Sequence, residues 1–547
     1  MLNPADEQQP NLLAQAEQVA REFDLSSDDV QRVTRHFVRQ MKDGLANHRV
    51  WQLPSYVRRV PTGKEKGTFL AVDLGGSNCR ICQVSLHGDS TFTVSQTKHI
   101  VPPDVMVNSS YRPLFDFVAH RIADFLAAQP DLSCSQKPYE LGFTFSFTCE
   151  QTSLASGRLI HWDKGWDIPD AVGRDPCRML QEAIDNQGLP VLVTVLANDS
   201  VGTLLTRSYT SGPTISTLAA VIFGTGTNAA YIEPLSNVRR LEVQAISDDI
   251  MVMNTEWGCF DDKMEVLPRT SFDDELDQTS TDPGSQMLEK RVSGLYLGEL
   301  LRLAILKLVH ANAFAMTVPK TSMVFQRDTI DSSLLSDLAG AGPDNVVQLV
   351  RDTLSVENVS GVDLQAIQML ATAIARRAAR LAGASLAAII IQSRRLEMST
   401  TSAEHPKKIQ RNECQPQTVS RFSMRSVQRF WYDTTLLWRW LLRLVGMGSL
   451  LGKPPAPIPP LPEPKCLEPC REDIIDVGAD GSLIEFYPLF EAEMRQAMRD
   501  IPEVGPSGDQ RIRIGMAKDG SGVGAALIAQ AASEMKAEPA AARQWSS

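Results

Sequence analysis

Two short apolar runs, Thr68–Val72 and Ala219–Phe223, lead into glycine turns, Gly75-Gly76 and Gly224-Thr225-Gly226, and each turn is accompanied by a hydroxyl residue. Glycine lets a backbone approach an anion and turn its N–H groups toward it, and hydroxyls add further donors. Hairpins use glycine just as often, so either turn alone fits a simple chain reversal as well as a phosphate site. Neither is a Walker A sequence or a G-x-G-x-x-G fingerprint, which removes P-loop enzymes and dinucleotide dehydrogenases. Together, about 150 residues apart, they predict two similar lobes facing one nucleotide. A third cluster, Gly520 to Gly524, stands before an alanine-rich helix, whose amino end favours negative charge or close packing against a ligand.

The intervening pattern alternates strands and helices. Residues 10–47 read as two helices, the second opened by a capping box at Ser26 and Asp29 and carrying Val30, Val33, Phe37 and Met41 on one stripe. A proline-containing connector covers about 53–67. Strands are predicted near 80–86, 140–147, 191–195 and 512–514, and helices near 111–128, 175–186, 289–309 and 362–391. Such alternation implies an α/β protein with sheets covered on both sides.

Of the 547 residues, 43% are hydrophobic and 22% charged, which excludes wholesale disorder and suggests two to four folding units. A net charge of −11 argues against nucleic acid as the main partner. Nine irregularly spaced cysteines form no disulfide framework, and no signal-peptide pattern opens the sequence, so a cytoplasmic, reducing location is expected. Cys79 and Cys82 form a C-x-x-C, read as two small residues on a strand. The histidines are scattered, and no metal site made of protein ligands alone is indicated.

The segment Leu70-Ala71-Val72-Asp73-Leu74-Gly75-Gly76-Ser77-Asn78-Cys79-Arg80 resembles the first phosphate motif of the hexokinase family. Residues 141–147 and Trp162-Asp163-Lys164-Gly165-Trp166 resemble its sugar-binding signature, 196–203 its catalytic segment, and Phe223–Asn228 its second phosphate motif. Asn254–Gly258, Pro283–Lys290, Asp480-Gly481-Ser482 and Asp519–Gly522 follow in family order, and the opening is most like the fungal glucokinase branch. The resemblance implies a two-lobed actin-like ATPase (ribonuclease H-like) fold with mixed sheets flanked by helices. It places helices of the large lobe at 1–63, the small lobe at 64–197, the large lobe at 198–397 and 473–522, and a helix returning to the small lobe, with a tail, at 523–547.

The activity so implied is ATP-dependent phosphorylation of glucose or another hexose at the 6-hydroxyl, with Mg²⁺ held mainly by phosphate oxygens and water. Asp199 would take the hydroxyl proton and Lys164 would stabilise the moving phosphate. Ser146, Asp163, Lys164, Asn198, Asp199, Asn228, Glu256 and Glu289 would bind the sugar. Asp73, Gly75, Gly76, Ser77, Asn78, Arg80, Gly224, Thr225, Gly226, Gly481, Ser482 and Ser521 would lie near ATP. Thr148 and Asp163 depart from the family's usual proline and threonine, so a catalytically impaired glucose sensor is the alternative. A nucleotide switch of the actin or chaperone kind would leave the sugar residues unexplained. The expected form is a monomer or homodimer without stable membrane insertion.

Residues 398–472 break the pattern. They hold 11 Lys and Arg against 6 acids, and 10 of the 32 prolines. A disordered insert is expected, extended over 453–469. Its abrupt change of character fits a retained intron or a wrong gene model; a basic amphipathic helix on a membrane or partner is the alternative. Abundant tryptic peptides from 412–465 in the native protein would refute the first reading.

Overall fold

The computed structural model describes residues 4–76, 78–129, 137–163, 165–241, 249–340, 343–397 and 474–537. Ser77, Lys164 and the expected disordered insert, 398–472, therefore lie outside the described residues. The first helices, Pro4–Arg21 and Ser27–Ala46, have the predicted junction. Ser26 Oγ accepts from the Asp29 amide at 3.1 Å and Asp29 Oδ2 accepts from the Ser26 amide at 3.1 Å, while Val30, Val33, Phe37 and Met41 are buried.

β1 (Leu53–Pro54) pairs with a later strand. β2 (Lys66–Gly75), β3 (Asn78–His87), β4 (Phe92–Ile100) and β5 (Tyr139–Phe145) are followed by a separate ribbon, β6 (Cys149–Ser153) and β7 (Ser156–Leu159). β8 (Val191–Ala197) completes a five-stranded sheet of order β4-β3-β2-β5-β8. A second sheet uses β9 (Thr217–Phe223), β10 (Thr227–Pro234), β11 (Ile250–Asn254), β12 (Ile475–Asp480) and β13 (Ile512–Met516), in the order β1-β11-β10-β9-β12-β13.

The two sheets share a local plan. β2 and β3 are antiparallel, with Gly75 opposite Asn78, and β2 lies parallel to β5 on its other side. β9 and β10 are antiparallel, with Phe223 opposite Thr227, and β9 lies parallel to β12. Each glycine turn therefore sits at the carboxyl end of a strand whose other neighbour runs parallel, a strand end that presents backbone amides. The fold is two-domain, with mixed sheets flanked by helices, as the resemblance implies.

A 33-residue helix, Gly361–Ser393, forms the centre of the larger core and packs against both N-terminal helices and against helix Phe490–Arg499. Its alanines and Gly383 permit that close packing; a Cβ at Gly383 would overlap the Met494 carbonyl. Helix Asp199–Ser211 starts immediately after β8 and leads toward β9. Helix Gly520–Ala537 follows β13 and packs on β2, β5 and β8. These two helices cross at Gly202 and Gly524, where a Cβ on Gly524 would overlap the Gly202 backbone.

Cys79 and Cys82 occupy one strand, as read. Their three-residue spacing puts them on opposite faces, Cys79 in one buried cluster and Cys82 in another. Burial pushes both thiols up, Cys82 to about 12. At the start of the expected insert, Arg511 donates to the carbonyls of Leu396 (3.1 Å) and Arg395 (3.3 Å), while its own carbonyl accepts from the Ile475 amide at 2.8 Å.

Candidate functional site

The carboxyl ends of β2, β8, β9 and β12 converge on a cleft of about 360 Å³. Asp73, Gly75, Gly76, Asn78, Arg80, Ser146, Asp163, Asn198, Asp199, Thr225, Gly226, Asn228, Glu256, Glu289, Gly481 and Ser521 all line it. Ser77 and Lys164 are outside the described residues. Gly224 does not line the cleft; its carbonyl accepts from the Gly294 amide at 2.8 Å, which fixes the turn from behind. Ser482 lines a neighbouring cavity of about 600 Å³, which shares Thr225 with the cleft.

One end of the cleft is wired by amides and carboxylates. Asn198 caps helix Asp199–Ser211, its Oδ1 accepting from the Ser200 amide (2.9 Å) and Ser200 Oγ (2.6 Å). Asn228 Nδ2 donates to Asn198 Oδ1 at 3.2 Å and to Asn254 Oδ1 at 2.9 Å, and Asn254 Nδ2 donates to Glu256 Oε1 at 2.7 Å. Glu289 Oε2 accepts from the Thr227 amide at 2.9 Å. Glu256 has a left-handed backbone, φ 46, unusual for a side chain of its size and held here by this network. Each carboxylate and amide is thus aimed before any ligand arrives, which suits a ligand rich in hydroxyls.

The other end gathers cations, hydroxyls and open backbone. Asp73 Oδ2 accepts from Ser521 Oγ at 2.7 Å and pairs with Arg80 Nη2 at 2.9 Å. Gly76 has φ 57, with nothing within 4 Å of where a Cβ would stand. At Gly75 a Cβ would lie 2.8 Å from Ser146 Cβ, so only glycine lets the first turn and Ser146 approach. Gly481, φ 109, lies against the backbone of Phe223 and Gly224, which brings the second turn and the end of β12 together.

The segment around position 164 is braced by aromatic rings. Trp162 and Trp166 stack with centroids 5.5 Å apart, Phe147 meets both edge-on, and Trp166 Nε1 donates to the Gly76 carbonyl. This ties the segment carrying Asp163 to the first glycine turn.

Sequence reasoning missed Lys98, Thr203, Ile222, Thr227, Asn254, Gln286 and Asp480 as site residues. All but Asn254 line the cleft, and Asn254 relays between Asn228 and Glu256. Lys98 lies on β4, opposite Arg80 in the ladder, on an edge strand without an apolar run; only the weak alternation of 92–100 could have revealed it. Asp480 follows from its place beside Gly481. Burial raises its pKa, the Gly481 amide opposes this, and the Asp199 charge adds to the rise. Among the described residues no cluster of three or more His, Cys, Asp or Glu is arranged to hold a metal ion. No helix among them is long and apolar enough to cross a membrane.

Two hexokinase family models match the chain, one over residues 15–209 and the other over 218–414 and 463–531. The gap in the second falls inside the expected insert. A glucokinase of Aspergillus niger is 38% identical, with 96% of this chain and 98% of that protein aligned. Glucokinase-1 of Saccharomyces cerevisiae is 32% identical, with 94% and 96% aligned. Among solved structures, the hexokinase of Schistosoma mansoni complexed with glucose superposes with a TM-score of 0.73 at 29% identity, covering 96% of this chain and 99% of that one. Two sheets built on one plan, a shared cleft between strand ends, and these matches across nearly the whole length lead to one conclusion: the chain belongs to the hexokinase family.

Proposed function

We propose that this chain is an ATP-dependent hexose kinase of the fungal glucokinase type, transferring a phosphoryl group to the 6-hydroxyl of glucose and other hexoses. The observation that carries the reading is the polarity of the cleft. A hydroxyl-binding end (Asn198, Asn228, Glu256, Glu289) adjoins an anion-binding end (Gly75, Gly76, Arg80, Lys98, Gly481), with Asp199 lining the same cleft.

Asn228, Glu256 and Glu289 orient the sugar through directed hydrogen bonds. Asp199, on the first turn of its helix, takes the proton of the 6-hydroxyl. Arg80 and Lys98 attract the polyphosphate, and the open backbone at Gly76 lets it approach. The donor set fits ATP: two cations, Ser521 and Thr225 hydroxyls, and glycine amides at one end, with the 600 Å³ cavity beyond Thr225 and Ser482 offering room for the nucleoside. Mg²⁺, when bound with ATP, neutralises charge on the phosphates; Asp73, Asp199 and Asp480 line the cleft where its water shell would be received. Cys79, Cys82, Cys149, Cys177 and Cys259 are free and buried, which supports a reducing compartment such as the cytoplasm.

Thr148 and Asp163 both line the cleft, which favours the sensor as second reading. A coupled assay of ADP release with glucose, mannose and fructose separates the two. Turnover that disappears in Asp199→Ala, with glucose binding retained, supports the kinase; binding of glucose and ATP without turnover in the wild type overturns it.

A further inference from the structure

We propose that Arg207 is a positioning residue that fixes the candidate base Asp199 against the phosphate-side turn at Asp480-Gly481; the role rests on the kinase reading above and deepens it. Arg207 lies eight residues along the helix that opens at Asp199, a little over two turns from it. Its guanidinium forks onto Asp476, Nε donating to Oδ2 at 3.0 Å and Nη2 to Oδ1 at 2.7 Å. Asp476 is 0% exposed and also accepts from Arg513 Nε (2.7 Å), Thr217 Oγ1 (2.9 Å) and Ser211 Oγ (3.2 Å). One carboxylate thus joins the Asp199 helix to β9, β12 and β13.

The strands are cut to receive the arginine. Gly478 on β12 and Gly515 on β13 are partners in the parallel ladder. A Cβ at Gly478 would stand 2.8 Å from Arg207 Cβ, and one at Gly515 would overlap the guanidinium. Side chains at either position would close the slot. β12 then runs only four residues from Asp476 to Asp480, where it enters the cleft beside Gly481.

The clamp answers an electrostatic problem. Asp199 and Asp480 both line the cleft, and the Asp199 charge is one of the causes that raise the Asp480 pKa, after burial. Like charges push the helix start and the strand end apart. A bidentate arginine–carboxylate fork fixes distance and direction at once, whereas a lysine supplies only a point charge. Held through a rigid helix at one end and four strand residues at the other, Asp199 keeps its distance from the phosphate turn.

The test uses the full chain and two variants, Arg207→Lys and the double replacement Arg207→Leu/Asp476→Leu. The second removes both charges of the fork, so neither is left buried and unpaired, while Arg513, 40% exposed at its side chain, turns to water. Hexose affinity, melting temperature and kcat per hexose-binding site are measured together. In both variants kcat is expected to fall about tenfold or more, with KM for ATP raised and hexose Kd within twofold of wild type, because an ångström of misplacement costs up to about a hundredfold. Wild-type kcat per binding site in either variant overturns the positioning role, as does a loss of activity that merely parallels loss of hexose-binding protein. A wild type that never turns over overturns the kinase reading and this role together; an active wild type with unchanged variants overturns the role alone.

Discussion

Ser521 Oγ donates to Asp73 Oδ2 at 2.7 Å, joining residues 448 positions apart. The bond holds the first turn of helix Gly520–Ala537 against the end of β2, on the same oxygen that pairs with Arg80. Ser521→Ala leaves the arginine pair but frees the carboxylate to swing. KM for ATP is expected to rise about three- to tenfold, in line with losing one hydrogen bond to a charged group, with hexose affinity unchanged. Steady-state kinetics with each substrate varied in turn check this.

Gly75→Ala is a sharper perturbation of one atom. The new Cβ would meet Ser146 Cβ at 2.8 Å and Oγ at 2.9 Å, so Ser146, which lines the cleft, must move. Both KM for hexose and kcat should worsen, by about tenfold or more together, with little change in melting temperature. An unchanged hexose KM would show that Ser146 plays no part in binding.

Asp273 gives an acid limb to stability. It is 1% exposed at its side chain beside Arg377 (2.8 Å) and Arg291 (3.9 Å). Burial alone would push its carboxyl up, but the two guanidinium charges outweigh that and hold it at about 2. A lowered folded-state pKa contributes stability above the unfolded value, near 3.8, and loses it as pH falls through 2. Roughly 2 kcal/mol should disappear progressively between about pH 5 and pH 1. Urea melts at pH 7, 4 and 2.5 read the loss, and Asp273→Asn should remove this component of the pH dependence while destabilising the fold at neutral pH.

Asp262 has the opposite sign. Burial raises its carboxyl to about 6, although the Met287 amide donates to it at 3.0 Å. The ionised form is therefore disfavoured in the fold, and this carboxyl's stabilising contribution is fully present below the unfolded pKa and lost as pH rises through about 6. Asp262→Asn should raise the melting temperature at pH 8 and have a smaller effect at pH 4.5. Because Met287 lies two residues before Glu289, hexose KM measured over the same range should follow the wild-type titration and flatten in the variant.

Strong local signals were legible in the sequence. The Ser26–Asp29 box, the glycine turns and the β-branched run before Asn198 each depend on residues close in the chain, and each folds as those residues dictate. β4, β10, β11 and the β6–β7 ribbon were not anticipated. β4 is a half-exposed edge strand with no apolar run, held by its hairpin pairing with β3, and β11 is short, held between β10 and the remote β1; composition records neither pairing. The same limit applied to the site. Asn198 and Asp199 were visible beside a strand end, but the relay through Asn254 and the Arg207–Asp476 fork exist only once residues far apart in sequence meet.

The two bonds from Arg511 to Leu396 and Arg395, with the bond from Ile475 to the Arg511 carbonyl, pin the borders of 398–472 to one point of the structure. Between ends so fastened, added chain costs loop-closure entropy only logarithmically, about 0.6 kcal/mol for each doubling of length. Replacing 398–472 by a short glycine–serine bridge should therefore leave hexose turnover in place and raise the melting temperature by a few degrees. That junction is an insertion port, a place where added chain can enter without rewriting the fold around it.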